Sequence, residues 1–120
     1  MFIRQLDEMK TFESGDGALL KELFNPATEK MDLRYSFAHA EIAPGVKTKW
    51  HKLEYSEVYY ILEGKALIYI DDETSPISTG SCVYIPPKAR QRIENTGKTP
   101  VKFVCIVDPA WRPESEIIEE

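Results

Sequence analysis

Gly45-Val-Lys-Thr-Lys-Trp-His51-Lys-Leu53-Glu-Tyr-Ser-Glu57-Val-Tyr-Tyr-Ile-Leu-Glu-Gly64 is the stretch whose reading decides the fold. It places one imidazole and one carboxylate on strand-like sequence that runs into a glycine turn, which is half of a metal or ligand pocket. The segment Gly80-Ser-Cys-Val-Tyr-Ile-Pro86-Pro-Lys88-Ala-Arg-Gln91-Arg-Ile-Glu-Asn95 is read as the other half, with its own opening glycine, proline corner and closing asparagine. Period-two alternation puts Glu57, Tyr59 and Ile61 on one face of a strand and Val58, Tyr60 and Leu62 on the other. Both faces are apolar, so this strand is expected to be buried twice, against a barrel interior and against a second sheet or a subunit partner. His51 and Leu53 share a face on the preceding strand, and Gln91 shares one with Ile93.

Working outward, the chain from Leu33 to Val107 is a succession of short runs rich in β-branched and aromatic residues, punctuated by Pro, Gly, Asp and Asn. That rhythm is the signature of an all-β sandwich or barrel. Strands are expected at about 33–43, 46–52, 56–63, 65–71, 76–79, 82–86, 89–95 and 101–107, joined by turns of suitable chemistry such as Pro44-Gly45, Asp71-Asp72-Glu73 and Thr96-Gly97-Lys98. Ala18–Phe24 is helical on propensity alone, yet Gly15-Asp16-Gly17 before it and Asn25-Pro26 after it fit a short strand between turns. The tail beyond Pro109 closes on Glu114-Ser-Glu-Ile-Ile-Glu-Glu120, an acidic composition that predicts mobility, with Trp111 placed to pin its start.

Composition bounds the function classes. A chain of 120 residues with 42% hydrophobic content suits one domain with one core. The formal net charge of −5 argues against a nucleic-acid surface. The one basic cluster, Lys88-Ala-Arg90-Gln-Arg92, reads as cations alternating outward while Ala89, Gln91 and Ile93 turn inward. Neither an apolar run long enough to span a bilayer nor a charged-then-apolar leader is present, so no membrane association and a cytoplasmic location are expected. The two cysteines, Cys82 and Cys105, lie in apolar runs and read as buried thiols of a reducing compartment.

Together the two quoted segments resemble the paired motifs of the cupin family. The first family motif reads Gly, five residues, His-x-His, three or four residues, Glu, six residues, Gly. The second reads Gly, five residues, Pro-x-Gly, two residues, His, three residues, Asn. This chain keeps both spacings but places Leu53 at the second histidine, Lys88 at the inner glycine and Gln91 at the last histidine. The resemblance implies a single cupin domain over residues 1–120, a double-stranded β-helix or jelly-roll barrel with its core at about 33–108 and an acidic tail at 109–120. It also implies an extended N-terminal segment and a homodimer paired through an outer sheet face.

Carried over residue by residue, the resemblance gives His51, Glu57 and Gln91 as candidate ligands of a divalent metal, drawn from manganese, iron, zinc or nickel, with no organic cofactor. One imidazole, one carboxylate and one amide oxygen form a harder and weaker set than the family's, shifted toward manganese. The opposing reading makes His51 and Glu57 a buried hydrogen-bonded pair with Gln91 as a further partner and no metal. Tyr59, which follows Glu57 on the same face, is the candidate substrate-binding residue; Tyr84, Phe103 and Cys105 read first as core. His39 is expected on the outer face with Phe37 and Glu41. No nucleophilic triad or phosphate loop stands out. The expected function is binding of a small polar molecule, carboxylate or sugar-like, in the barrel mouth, either as a metal-dependent enzyme or as a metal-free sensor barrel. His51, if not a ligand, is the one candidate acid or base.

Overall fold

The computed structural model describes residues 1–119. Eleven strands form two antiparallel sheets. They are β1 (Phe12–Glu13), β2 (Leu19–Phe24), β3 (Ser36–Ile42), β4 (His51–Leu53), β5 (Ser56–Glu63) and β6 (Lys65–Ile70), then β7 (Glu73–Ser78), β8 (Cys82–Ile85), β9 (Arg90–Asn95), β10 (Val101–Asp108) and β11 (Glu116–Ile118). The six-stranded sheet runs β1-β2-β3-β10-β5-β8 and the five-stranded sheet β11-β4-β9-β6-β7. Two single 3-10 turns, Leu6–Glu8 and Pro113–Ser115, are the helical elements among the described residues. This is an all-β jelly roll, as the strand rhythm predicts.

Alternation builds the core. Along β10 every odd residue from Val101 to Val107 is buried, and along β9 Gln91, Ile93 and Asn95 turn inward. Ile42, Ile61, Ile85, Ile93 and Val101 fill the space between the sheets at 1% exposure or less. Arg90 and Arg92 alternate outward as expected, stacking on Trp50 at 4.0 and 4.3 Å from its ring centroid and covering its aromatic face. Asn95, 1% exposed, ties the sheets at one end. Its amide donates to the carbonyls of Ile42 and Thr99 at 2.9 and 2.8 Å and its oxygen accepts from Gly97 N at 2.8 Å.

Several expectations need correction. The strand expected at 46–52 is mostly an extended loop, with regular pairing only from His51; Thr48 anchors it instead, its hydroxyl accepting from Ile93 N at 3.0 Å and its own N–H donating to Ile93 O at 2.9 Å. β7 starts at Glu73 rather than 76. It is an exposed edge strand and carries Pro76 opposite Leu67, a position that tolerates a missing N–H. Cys82 is exposed and Tyr84 is 62% exposed, because β8 is the edge of its sheet and both side chains point outward there. Cys105 is buried. The acidic tail is ordered as β11 on β4, with Glu119 N donating to Trp50 O at 2.7 Å and Glu119 meeting Lys52 and Arg90 at 3.4 and 2.7 Å. Composition suggested mobility, but an open strand edge and two cations capture the segment; Glu120 lies outside the described residues. Trp111 does pin its start, with its N–H on Ser36 Oγ and its carbonyl held by Asn25 Nδ2, both at 3.0 Å.

Gly64, at the β5–β6 turn, has φ +91°, and a Cβ there would lie 3.0 Å from Pro100 O and 3.1 Å from Val101 Cα. Gly80 has φ +90° but open space around it. Gly64→Ala is expected to lower stability by about 2 to 3 kcal/mol and Gly80→Ala by about 1 kcal/mol, from backbone strain alone in the second case. Equal denaturant midpoints for the two variants would show that the β5–β6 turn gives way.

Candidate functional site

Between the sheets lies a cavity of about 310 Å³, at the lower end of the range for small-molecule sites. Its walls are mostly apolar, from Leu20, Ala38, Ala40, Leu53, Phe103 and Val107. The Gly15-Asp16-Gly17 turn closes one side, and Trp111 and Glu116 of the C-terminal segment reach it from another. Tyr59 and Phe103 pack with ring centroids 4.6 Å apart. Of the other aromatic and thiol candidates, Cys105 lines the wall, while Tyr84 stands on the outer surface. His39 is half-buried on the outer face of β3, where burial lowers its pKa.

Tyr59 and Glu57 line the cavity, and the fully buried Gln91 joins them in a chain of three side chains from both sheets. Tyr59 OH donates to Gln91 Oε1 at 3.0 Å, and Gln91 Nε2 donates to Glu57 Oε1 at 3.1 Å. Tyr59 and Glu57 belong to β5, and Gln91 comes across from β9. Burial pushes the Glu57 carboxyl up to about 8, the Gln91 hydrogen bond opposing and the charges of Asp16 and Glu116 adding to the rise. Near neutral pH Glu57 is therefore mostly a carboxylic acid. With Oε1 accepting from Gln91, its proton belongs on Oε2. Burial also raises the Tyr59 hydroxyl well above its ordinary value, so it stays protonated and serves as donor.

His51 takes part in a different arrangement. Its Nδ1 lies 2.9 Å from Lys49 O, and only a protonated nitrogen satisfies a carbonyl there. Nε2 faces Asp16 Oδ2 at 3.4 Å and Glu116 Oε2 at 4.0 Å. Burial raises the Glu116 carboxyl, against the pull of His51. The partner of Glu57 is thus Gln91 rather than His51, and the pair of the opposing reading gives way to His51 with Asp16 and Glu116. Asp16 Oδ1 accepts from Ala18 N at 3.2 Å and from the Ser14 hydroxyl, which leaves Oδ2 turned toward the ring.

Sequence reasoning did not single out Asp16 or Glu116. Each reaches the site by long-range pairing: β11 places Glu116 opposite Leu53, and Lys49 N binds Asp16 O at 2.8 Å. The glycines flanking Asp16 were the available signal, since a carboxylate held in a tight turn cannot withdraw far from what the turn abuts.

A metal of the kind the family resemblance implies does not fit the donors as they stand. Leu53 has no ligand atom, the Gln91 amide is engaged at both ends, and no group of three or more His, Cys, Asp or Glu converges closely enough to hold an ion among the described residues. Turning Gln91 Oε1 toward a cation would break two buried hydrogen bonds, each worth about 1 kcal/mol and more when a partner is left unsatisfied.

Residues 38–107 match the sequence model of the family described as Cupin domain. An uncharacterized protein of Methanocaldococcus jannaschii is 38% identical over 117 residues, which cover 96% of this chain and 93% of that protein. An oxalate-binding protein of Thermotoga maritima is 32% identical over 72 residues, 59% of this chain and 60% of its own length. Among solved structures, a predicted oxalate decarboxylase of Thermotoga maritima superposes with a TM-score of 0.79 at 22% identity, over 90% of this chain and 99% of that one, a likeness of fold. A family match across residues 38–107, a relative 38% identical along nearly the whole length and a shared jelly roll establish that the chain belongs to the cupin family.

Proposed function

We propose that this protein is a small-molecule-binding cupin whose ligand occupies the inter-sheet cavity, with an apolar body against Leu53, Phe103 and Val107 and one polar group on the Tyr59–Gln91–Glu57 chain. The observation that carries this reading is that chain itself. It joins the two sheets through side-chain hydrogen bonds, and its Tyr59 and Glu57 members line the cavity. Tyr59 remains the substrate-contact residue, while Glu57 and Gln91 act as hydrogen-bonding groups. The relative named for oxalate suggests a dicarboxylate, but the lining of this cavity contains no lysine or arginine among the described residues to meet one.

The test is ligand-induced thermal stabilisation across a metabolite set, run in excess chelator and again with manganese, iron, zinc or nickel. Stabilisation in chelator is expected, and a site occupied to a hundred times its dissociation constant adds about 2.7 kcal/mol. Stabilisation seen only with added metal would instead support the ligand set His51, Glu57 and Gln91. Tyr59→Phe should weaken binding while the apo protein loses only about 1 to 2 kcal/mol, from the unsatisfied Gln91 oxygen.

Glu57 gives a pH prediction with a definite sign. Its folded pKa, about 8, is raised from 4.5, so its stabilising contribution is complete below the unfolded value and is lost as pH rises through the folded one. At about 1.4 kcal/mol per pKa unit, the loss amounts to a few kcal/mol. Denaturant melts in chelator should show the parent weakening from pH 5 to pH 8 and Glu57→Gln following a flatter course. Near pH 5 the two should agree within about 1 kcal/mol, because glutamine still accepts from Gln91.

The outer face of β5, β10 and β8 presents Val58, Tyr60, Leu62, Ile106 and Tyr84, with Tyr60 45% and Leu62 40% exposed. We propose that a second copy covers this face through a two-fold contact. Sedimentation at micromolar concentration should give a dimer, and Tyr60→Glu should convert it to a folded monomer; a monomeric parent would end this reading.

A further inference from the structure

One contiguous stretch of chain, residues 12–16 with Ala18, forms a side of the cavity wall. It is also lightly anchored. Phe12 and Glu13 are both exposed, and they pair with Leu20 and Leu19 at the outermost position of the six-stranded sheet. Beyond that ladder, residues 12–17 are held to the rest of the protein, among the described residues, by Lys49 N donating to Asp16 O at 2.8 Å and by Asp16 Oδ2 facing His51 Nε2 at 3.4 Å. The flanks on either side are fixed. Leu6 O accepts from Lys21 Nζ at 3.0 Å before the stretch, and Ala18 is 5% exposed in the core after it. A segment with few buried contacts between two fixed flanks opens at a fraction of the free energy of global unfolding.

The C-terminal segment on the facing side is built differently. β11 pairs with β4 at three positions, and backbone hydrogen bonds flank that ladder, from Glu54 N to Ser115 O at 2.8 Å and from Glu119 N to Trp50 O at 2.7 Å. Glu119 adds its ion pairs with Lys52 and Arg90. The two segments meet, since a Cβ on Gly15 would lie 3.4 Å from Ile118 Cγ1 and Cδ1, and His51 faces both Asp16 and Glu116. Resting on the reading of the cavity as the binding site, we infer that residues 12–17 are a flap that opens to admit the ligand and closes against β11 as a fixed post. Opening breaks the contacts of Asp16 with Lys49 and His51 and of Gly15 with Ile118, while Ile61, Ile93 and Val101 stay packed between the sheets.

Cys105 reports entry, because its thiol lines the cavity at 9% exposure. With the exposed Cys82 removed as Cys82→Ser, labelling of Cys105 by iodoacetamide is followed by mass spectrometry at increasing urea. The expected rate is flat in urea well below the unfolding midpoint, since local opening exposes little surface. Gly15→Cys with Ile118→Cys, which lie within disulfide reach, should slow labelling about tenfold or more when oxidised and restore it when reduced. A crosslink also disfavours global unfolding, so the urea dependence separates the two routes. Asp16→Ala needs no crosslink, and by freeing the flap from His51 it should speed labelling about fivefold at low urea, the equivalent of one hydrogen bond. Labelling that climbs with urea as steeply as global unfolding would overturn the flap. Equal rates in the oxidised and reduced pair, or an unchanged rate in Asp16→Ala, would overturn it too. The small-molecule reading stands or falls separately, on ligand stabilisation of the parent, which does not depend on the route of entry.

Discussion

Gln91 is the side chain on which the two sheets agree. One amide from the five-stranded sheet accepts from Tyr59 and donates to Glu57, both on β5 of the other sheet, at 3.0 and 3.1 Å. Because an amide has distinct donor and acceptor ends, this arrangement fixes the relative position of β5 and β9 more tightly than apolar packing does. A slip of β9 by one residue would turn Arg90 or Arg92 into the core. The buried polar chain therefore serves packing and site at once.

The family scaffold and the site it carries have separated in this chain. The glycines, the proline corner and Asn95 hold the turns and the inter-sheet tie, and these persist although two of the histidine positions are Leu53 and Gln91. With the histidines gone, the interior is governed by desolvation: Glu57 is held as an acid, and Glu116 is pushed in the same direction. On the same cavity wall the Asp16 turn and the C-terminal strand bring two carboxyl groups to His51.

How much was legible follows from whether a property is local. Alternation is local, and it correctly separated Glu57, Tyr59 and Ile61 from Val58, Tyr60 and Leu62, and Gln91 and Ile93 from Arg90 and Arg92. Motif spacing located His51, Glu57 and Gln91 on neighbouring walls. Hydrogen-bond choice is not local. Which carboxylate His51 faces depends on β11 docking on β4 and on Lys49 holding the Asp16 turn. Cys82 and Tyr84 misled for a related reason, since an apolar run looks the same whether its strand is central or at an edge. The acidic tail misled because composition records charge but not the open β4 edge and the Lys52 and Arg90 side chains that receive it.

The edge strand β7 has a bearing on how this molecule behaves in a crowded solution. A sheet that stops without closing offers its unpaired amides and carbonyls to any other chain, and stacked edges are how soluble sheets become insoluble fibres. Pro76 lacks the amide such an addition needs, and Glu73 adds a charge at the strand's start. Addition of a further strand from that side is thereby discouraged.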